Sequence, residues 1–127
     1  MNVLHLDDDF AILHVVKEIL KKKFKDDIKV ISVTNYNDAQ FLFDHYSYDL
    51  VICDYLLNEE KNGFDFYFAN KKNLEKMIKI KFIFLSSHVD TFKDKLNDTV
   101  IIIDKSSNYI INLITTIQEI QSVQRSS

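Results

Sequence analysis

Carboxylates, a pair of hydroxyls and one amine each stand directly after an apolar run of this chain. Asp7-Asp8-Asp9 follows Val3-Leu4-His5-Leu6, and Asp54 follows Leu50-Val51-Ile52-Cys53. Ser86-Ser87 follows Phe82-Ile83-Phe84-Leu85, and Asp104-Lys105 follows Val100-Ile101-Ile102-Ile103. Carboxylates packed together repel and raise each other's pKa. A hard divalent cation relieves that repulsion, and magnesium takes oxygen ligands in octahedral geometry while keeping some water. In such a site Asp8 and Asp54 read as direct ligands, with Asp7 acting through water. Asp54 is also a carboxylate able to attack phosphorus and become an acyl phosphate. The charge of Lys105 and the hydroxyl of Ser86 would then serve the oxygens of the phosphoryl group. Together the set suits reversible phosphoryl transfer.

These groups are useful only if the fold brings them together. The short apolar runs alternate with amphipathic stretches. Strands are expected at Val3–Leu6, Lys29–Val33, Asp49–Cys53, Lys81–Leu85 and Val100–Ile103. Ile12, Val15, Val16, Ile19 and Leu20 share helical spacing, with Asp9 as the N-cap and lysines at the C-terminal end. Ala39, Leu42, Phe43 and Tyr46 mark a second helix, and a third runs from Phe64 to about Met77. The last helix carries Ile110, Leu113, Ile114, Ile117 and Ile120, before a polar tail at Gln121–Ser127. Five strands and about five helices in alternation predict an α/β, doubly wound, five-stranded parallel sheet with helices on both faces. The apolar third and fifth strands fit burial on both sides. In open sheets of this kind ligands bind beyond the carboxyl ends of the strands. Every residue singled out above lies there.

Composition narrows the alternatives. The 127 residues fit one domain, and 46% hydrophobic content fits a packed core. A net charge of −3 argues against direct nucleic-acid binding. No run approaches the length of a membrane span, and no secretory signal is read at the N-terminus. Cys53 is alone, which excludes an internal disulfide and a cysteine zinc cage. A cytoplasmic location is the default expectation. Aspartate outnumbers glutamate 14 to 5, there is no proline, and Gly63 is the only glycine. Turns must therefore rest on Asn, Asp, Ser and Lys.

With the acidic pair Asp7-Asp8, then Asp54, Ser86 and Lys105 in order, and Asn62-Gly63 before the third helix, the chain resembles the receiver domains of two-component response regulators. The resemblance covers about residues 1–122, leaving 123–127 as a polar tail or linker start. It implies a flavodoxin-like fold of strand order 2-1-3-4-5 and dependence on Mg2+. It also implies phosphorylation of Asp54 by a histidine kinase or phosphotransfer protein. The metal set it implies is Asp7, Asp8, Asp54 and the backbone carbonyl of Leu56, with Asp54, Lys105 and Ser86 carrying the chemistry. A downstream protein target or output domain would read the change, with a possible dimer among the outcomes.

Several positions depart from the family pattern. Leu57 stands near the usual proline, and the stretch from Asp54 to Gly63 is one residue longer. Ser106 replaces the proline after the lysine; the family's cis peptide there is costly without proline, and the sequence leaves the Lys105–Ser106 isomer open. Ile102 occupies a position that is usually aromatic. The segment from Ser86 to Lys105 is about three residues short, which implies a short fourth helix. His88 and Leu56 fall where the family tunes the lifetime of the phosphoryl group.

Plainer readings stand beside these. Asp7-Asp8-Asp9 also suits a helix cap, Lys105 a solvated turn, and Ser87 rivals Ser86. His5, His14 and His45 lack metal-ligand spacing and read as structural or exposed, and Cys53 reads as core. Phe64, Phe66, Tyr67 and Phe68 cannot all face inward, so one is expected on the surface. Two rival functions remain. A haloacid-dehalogenase-type phosphatase would want an acid two residues after its nucleophile, where this chain has Leu56. A receiver-like interaction module no longer switched by phosphate would fit Ile102, Ser106 and the short fourth helix.

Overall fold

Each short apolar run becomes a strand because neighbouring strands and helices can cover both of its faces. The computed structural model describes residues 1–57, 59–76, 80–87, 100–106 and 108–126. Within them the chain runs β1 (Asn2–Leu6), α1 (Phe10–Phe24), a 3-10 turn at Lys25–Asp27, β2 (Lys29–Val33), α2 (Tyr36–His45) and β3 (Leu50–Cys53). It continues through α3 (Gly63–Lys76), β4 (Lys81–Ser86), β5 (Ile101–Asp104) and α4 (Tyr109–Ser126). The strands form one sheet of order β2-β1-β3-β4-β5, and every neighbouring pair is parallel. This is the flavodoxin-like, doubly wound α/β topology expected from the sequence. The short fourth helix and His88 lie outside the described residues. No helix among the described residues is long and apolar enough to cross a membrane.

The alternation of side chains divides the core into two unlike halves. Leu4, Leu6, Val51, Cys53, Phe82 and Phe84 pack under α2 and α3 with Tyr36, Ala39, Phe66 and Tyr67. Here rings meet edge to face: Phe66 against Tyr36 and Phe43, and Tyr67 against Phe82 and Phe84. On the opposite face Val3, Leu50, Ile52, Ile83, Leu85 and Ile103 meet Val16, Leu20 and Phe24 of α1 and Leu113, Ile117 and Ile120 of α4. That half is almost wholly aliphatic.

Asp and Asn start the helices. The Asp9 carboxylate accepts from the N–H groups of Ala11 and Ile12 at 2.9 and 3.4 Å. Asn35 accepts from the Asp38 N–H at 2.9 Å. Asn62 and Asp65 form a reciprocal capping pair, each side chain accepting from the other's N–H at 3.0 and 2.8 Å. Two of the fourteen aspartates, Asp9 and Asp65, thus serve helix N-termini.

The structure shifts four details of the sequence reading. In α1 the buried row is Leu13, Val16, Leu20 and Phe24, and Val15 is exposed. The helix holds more apolar residues than one face can bury, so spacing alone leaves its rotation open. Tyr46 is the C-cap of α2 and lies exposed. Ile101 and Ile102 are only half-buried, because β5 is an edge strand. Finally, α4 continues to Ser126, since the polar residues of the expected tail include no helix breaker.

With so little glycine, one turn takes an unfavourable backbone. Lys25, the C-cap of α1, has φ 53° and ψ −126°. Side chains rarely adopt positive φ, and glycine does so without penalty. The Lys25→Gly variant should therefore be more stable, by about 1 kcal/mol, measured as a higher urea midpoint at unchanged slope.

Candidate functional site

The sheet ladder itself sets the positions of the site residues. One residue past β1, the Asp7 N–H donates to the Val33 carbonyl at 3.1 Å. One past β3, the Asp54 N–H donates to the Leu6 carbonyl at 2.9 Å. One past β5, the Lys105 N–H donates to the Ser86 carbonyl at 3.0 Å. Backbone register thus holds three reactive side chains that are far apart in sequence.

Their side chains converge. The Lys105 ammonium lies 2.6 Å from Asp7 Oδ2 and 3.2 Å from Asp54 Oδ2. The carboxylates of Asp7, Asp8 and Asp54 offer oxygens all within 4.8 Å of one another. Asp7 is fully buried and Asp54 nearly so, while Asp8 is more open to solvent. The second Asp7 oxygen accepts from the Asp9 N–H at 2.9 Å, so the residue that caps α1 also steadies the buried acid. The Leu56 N–H hydrogen-bonds the Asp54 carboxylate, and the Leu56 side chain is exposed. Ser86 is fully buried at the end of β4, whereas Ser87 is exposed.

Burial dominates the electrostatics. It pushes Asp7 up to about 6, against the opposing hydrogen bond and charge of Lys105. Burial also raises Asp54, with Lys105 opposing and the charge of Asp8 adding. Desolvation pulls Lys105 down, yet its hydrogen bond to Asp7 and the charges of Asp7 and Asp54 outweigh it, leaving the amine above its ordinary value. Among the described residues, Lys105 is the ammonium set against Asp7 and Asp54, with the Asp8 carboxylate beside them. The cluster's donors are hard oxygens, which fits Mg2+ or a similar ion and does not fit a nitrogen- or sulfur-seeking metal. Cys53 is fully buried and its thiol is pushed well up by burial, which makes it a poor nucleophile.

Supporting contacts appear that spacing did not reveal. Gly63 packs against the Asp54 backbone so closely that a Cβ there would lie 1.8 Å from the Asp54 carbonyl oxygen. Its own N–H donates to the Tyr55 carbonyl at 2.7 Å. Close approach, not a left-handed backbone, requires this glycine. The loop after Asp54 is also fastened to α2. The Glu59 carboxylate accepts from the Tyr36 N–H at 2.7 Å, and the Lys61 ammonium sits 4.6 Å above the Tyr36 ring. Leu57, near the family's proline position, is buried in the aromatic cluster. His5 is fully buried with neither ring nitrogen partnered, and burial together with Lys105 pushes it down to about 3. It stands on the aliphatic face beside Ser32 and Ile52. Lys105–Ser106 is trans, as are all described peptides.

Comparison with solved structures places this arrangement. The chain is similar to the chemotaxis response regulator CheY4 of Vibrio cholerae, with 19% identity, 94% of this chain and 97% of the other covered, and a TM-score of 0.76. It is similar to a Francisella response regulator receiver domain, with 19% identity, 99% and 98% covered, and a TM-score of 0.73. A third is the response regulator TrrA of Thermotoga maritima in complex with Mg2+ and BeF, with 21% identity, 94% and 97% covered, and a TM-score of 0.68. Over nearly its whole length the chain has the fold of response regulator receiver domains. No protein-family model and no curated protein matches it.

Two outcomes follow from the site's packing. A carboxyl whose folded pKa exceeds its unfolded value binds more protons when folded, so stability falls as pH rises between the two. For Asp7 that interval is about 4 to about 6. Urea titrations without metal should show this fall in the wild type, and a flatter profile in Asp7→Asn. Gly63→Ala should destabilise the fold by about 2 kcal/mol, read from the same titrations, because the atoms it meets are backbone.

Proposed function

We propose that this chain is a phosphoacceptor signalling domain of a two-component system, acting in the cytoplasm. What carries the reading is the Lys105 ammonium held between Asp7 and Asp54, with Asp8 beside them, at the carboxyl ends of parallel strands. The donor is a histidine kinase or phosphotransfer protein. An Asp54 carboxylate oxygen attacks the phosphorus of the phosphohistidine, the P–N bond breaks, and the imidazole leaves with its electron pair and takes a proton. An acyl phosphate on Asp54 results.

The residues divide the work. Lys105 turns from the Asp54 oxygen to a phosphoryl oxygen and neutralises its charge. The Ser86 hydroxyl donates to another. Asp7 keeps Lys105 oriented through the transfer. Asp7, Asp8, Asp54 and the Leu56 carbonyl would hold Mg2+, which when bound screens the attacking carboxylate from the incoming phosphoryl charge. Addition of a doubly charged group to this pocket shifts a protein-interaction surface read by a downstream target or output domain, with dimerisation as one readout.

The reading is of a switch rather than a turnover enzyme. At the position where a phosphatase of the haloacid-dehalogenase type would carry an acid, Leu56 offers an exposed apolar side chain. The rival that deserves testing is a receiver-like module not switched by phosphate, since Ile102 is half-buried against the aromatic cluster where the family usually has an aromatic residue.

Incubation with Mg2+ and acetyl phosphate, followed by mass spectrometry of peptides, should place the label on Asp54. Asp54→Asn should reduce labelling to background, and Ser86→Ala should slow it by about a hundredfold. Full labelling of Asp54→Asn, or none of the wild type, would overturn the proposal.

A further inference from the structure

Away from this site, on the outer edge of the sheet, β2 pairs only with β1. The Lys29 N–H donates to Met1 and the Val33 carbonyl accepts from Asp7, so these residues face β1. By alternation, Val30 and Ser32 direct their backbone N–H and carbonyl groups outward. No described residue pairs with that edge.

Two unlike grooves flank it. On the α1 side lies a groove of about 680 Å³ walled by Lys17, Lys21 and Lys25 and floored by Ile28 and Val30. On the α2 side lies one of about 400 Å³ lined by Leu42, Tyr46 and Tyr48. Lys29 and Ile31 line both. The four lysines are exposed, and among the described residues none has a carboxylate at ion-pair distance. Only Asp26 brings negative charge to the basic groove.

Simpler explanations cover part of this. A lysine on an edge strand guards against unwanted pairing, which accounts for Lys29. The helix dipole favours a cation in the last turn, which accounts for Lys21. Neither accounts for Lys17 standing four residues before Lys21 on α1, where like charges weaken a helix, in one row along the groove with Lys25, the C-cap beyond the helix. In a chain of net charge −3, such a row is a local reversal of sign.

We propose that the β2 edge is a docking site for an extended acidic segment of a partner protein, which adds to the sheet as a sixth strand. Its residues alternate: acidic side chains face the lysines on the α1 side, and apolar ones face Leu42, Tyr46 and Tyr48 on the α2 side. Main-chain hydrogen bonds to Val30 and Ser32 supply affinity, and the two grooves supply the pattern. A groove split between charge and apolar surface fits a strand better than a flat polyanion such as a membrane. The site does not depend on phosphorylation of Asp54.

The test uses a short fluorescent peptide of alternating Glu and Val, followed by anisotropy at low salt. Binding should weaken as salt rises, and by about tenfold or more in Lys17→Gln/Lys21→Gln/Lys25→Gln, whose fold is verified by circular dichroism. With the unaltered protein, the same peptide N-methylated at alternate residues should lose binding although its charge is unchanged. A peptide of the same composition with its Glu in one block should bind more weakly. Equal binding by the N-methylated or blocked peptide, or an unaffected triple variant, would overturn the proposal. So would binding to phosphatidylserine vesicles in the absence of any peptide binding.

Discussion

The fold must hold three carboxylates within a few ångströms at the edge of a low-dielectric core, and among the described residues one ammonium is set between two of them. Lys105 is that ammonium, and its contacts with Asp7 and Asp54 tie the last strand to the first and the third. Leaving a charge buried without its partner is among the larger penalties a small domain can meet. Carboxylate oxygens gathered in this way are the kind of donor set that suits a hard cation.

Geometry of this kind needs a rigid frame. The three reactive side chains each stand one residue beyond a strand, held by a backbone hydrogen bond that continues the ladder. A one-residue slip of any strand would send its reactive side chain to the opposite face. The two differently packed halves of the core fix that register. Behind Asp54, Gly63 closes against the backbone, and the Glu59 and Lys61 contacts to Tyr36 fasten the loop to α2. These contacts and buried Leu57 hold a loop that proline holds in the resembling family.

The strands and their carboxyl ends were legible because each apolar run is short and is followed at once by its reactive residue. Asp7, Asp8, Asp54 and Lys105 could be named on that basis, and the structure brings all four together. What was hidden depends on packing between elements. Val15 and Leu13 look equally suited to the core, and only the rotation of α1 against the sheet selects Leu13. His5 offers no ligand spacing, and its complete burial follows from its place in a central strand. The contact of Glu59 with Tyr36 joins residues whose types suggest a loop acid and a helix aromatic, and no pattern links them. The four clustered aromatics of α3 were partly readable: Phe66 and Tyr67 are buried and Phe68 is exposed, as helical geometry demands.

The segregation of rings to one side of the sheet has a spectroscopic consequence. The chain has no tryptophan, and Tyr36, Tyr48, Tyr55 and Tyr67 all belong to the cluster beneath α2 and α3. Near-ultraviolet dichroism and intrinsic emission therefore report chiefly on that half of the molecule. On the aliphatic side Tyr109, at the start of α4, is the tyrosine that packs against the core, so loosening of α1 would pass almost unseen by these optical signals, and an indole introduced beside α1 would make it visible.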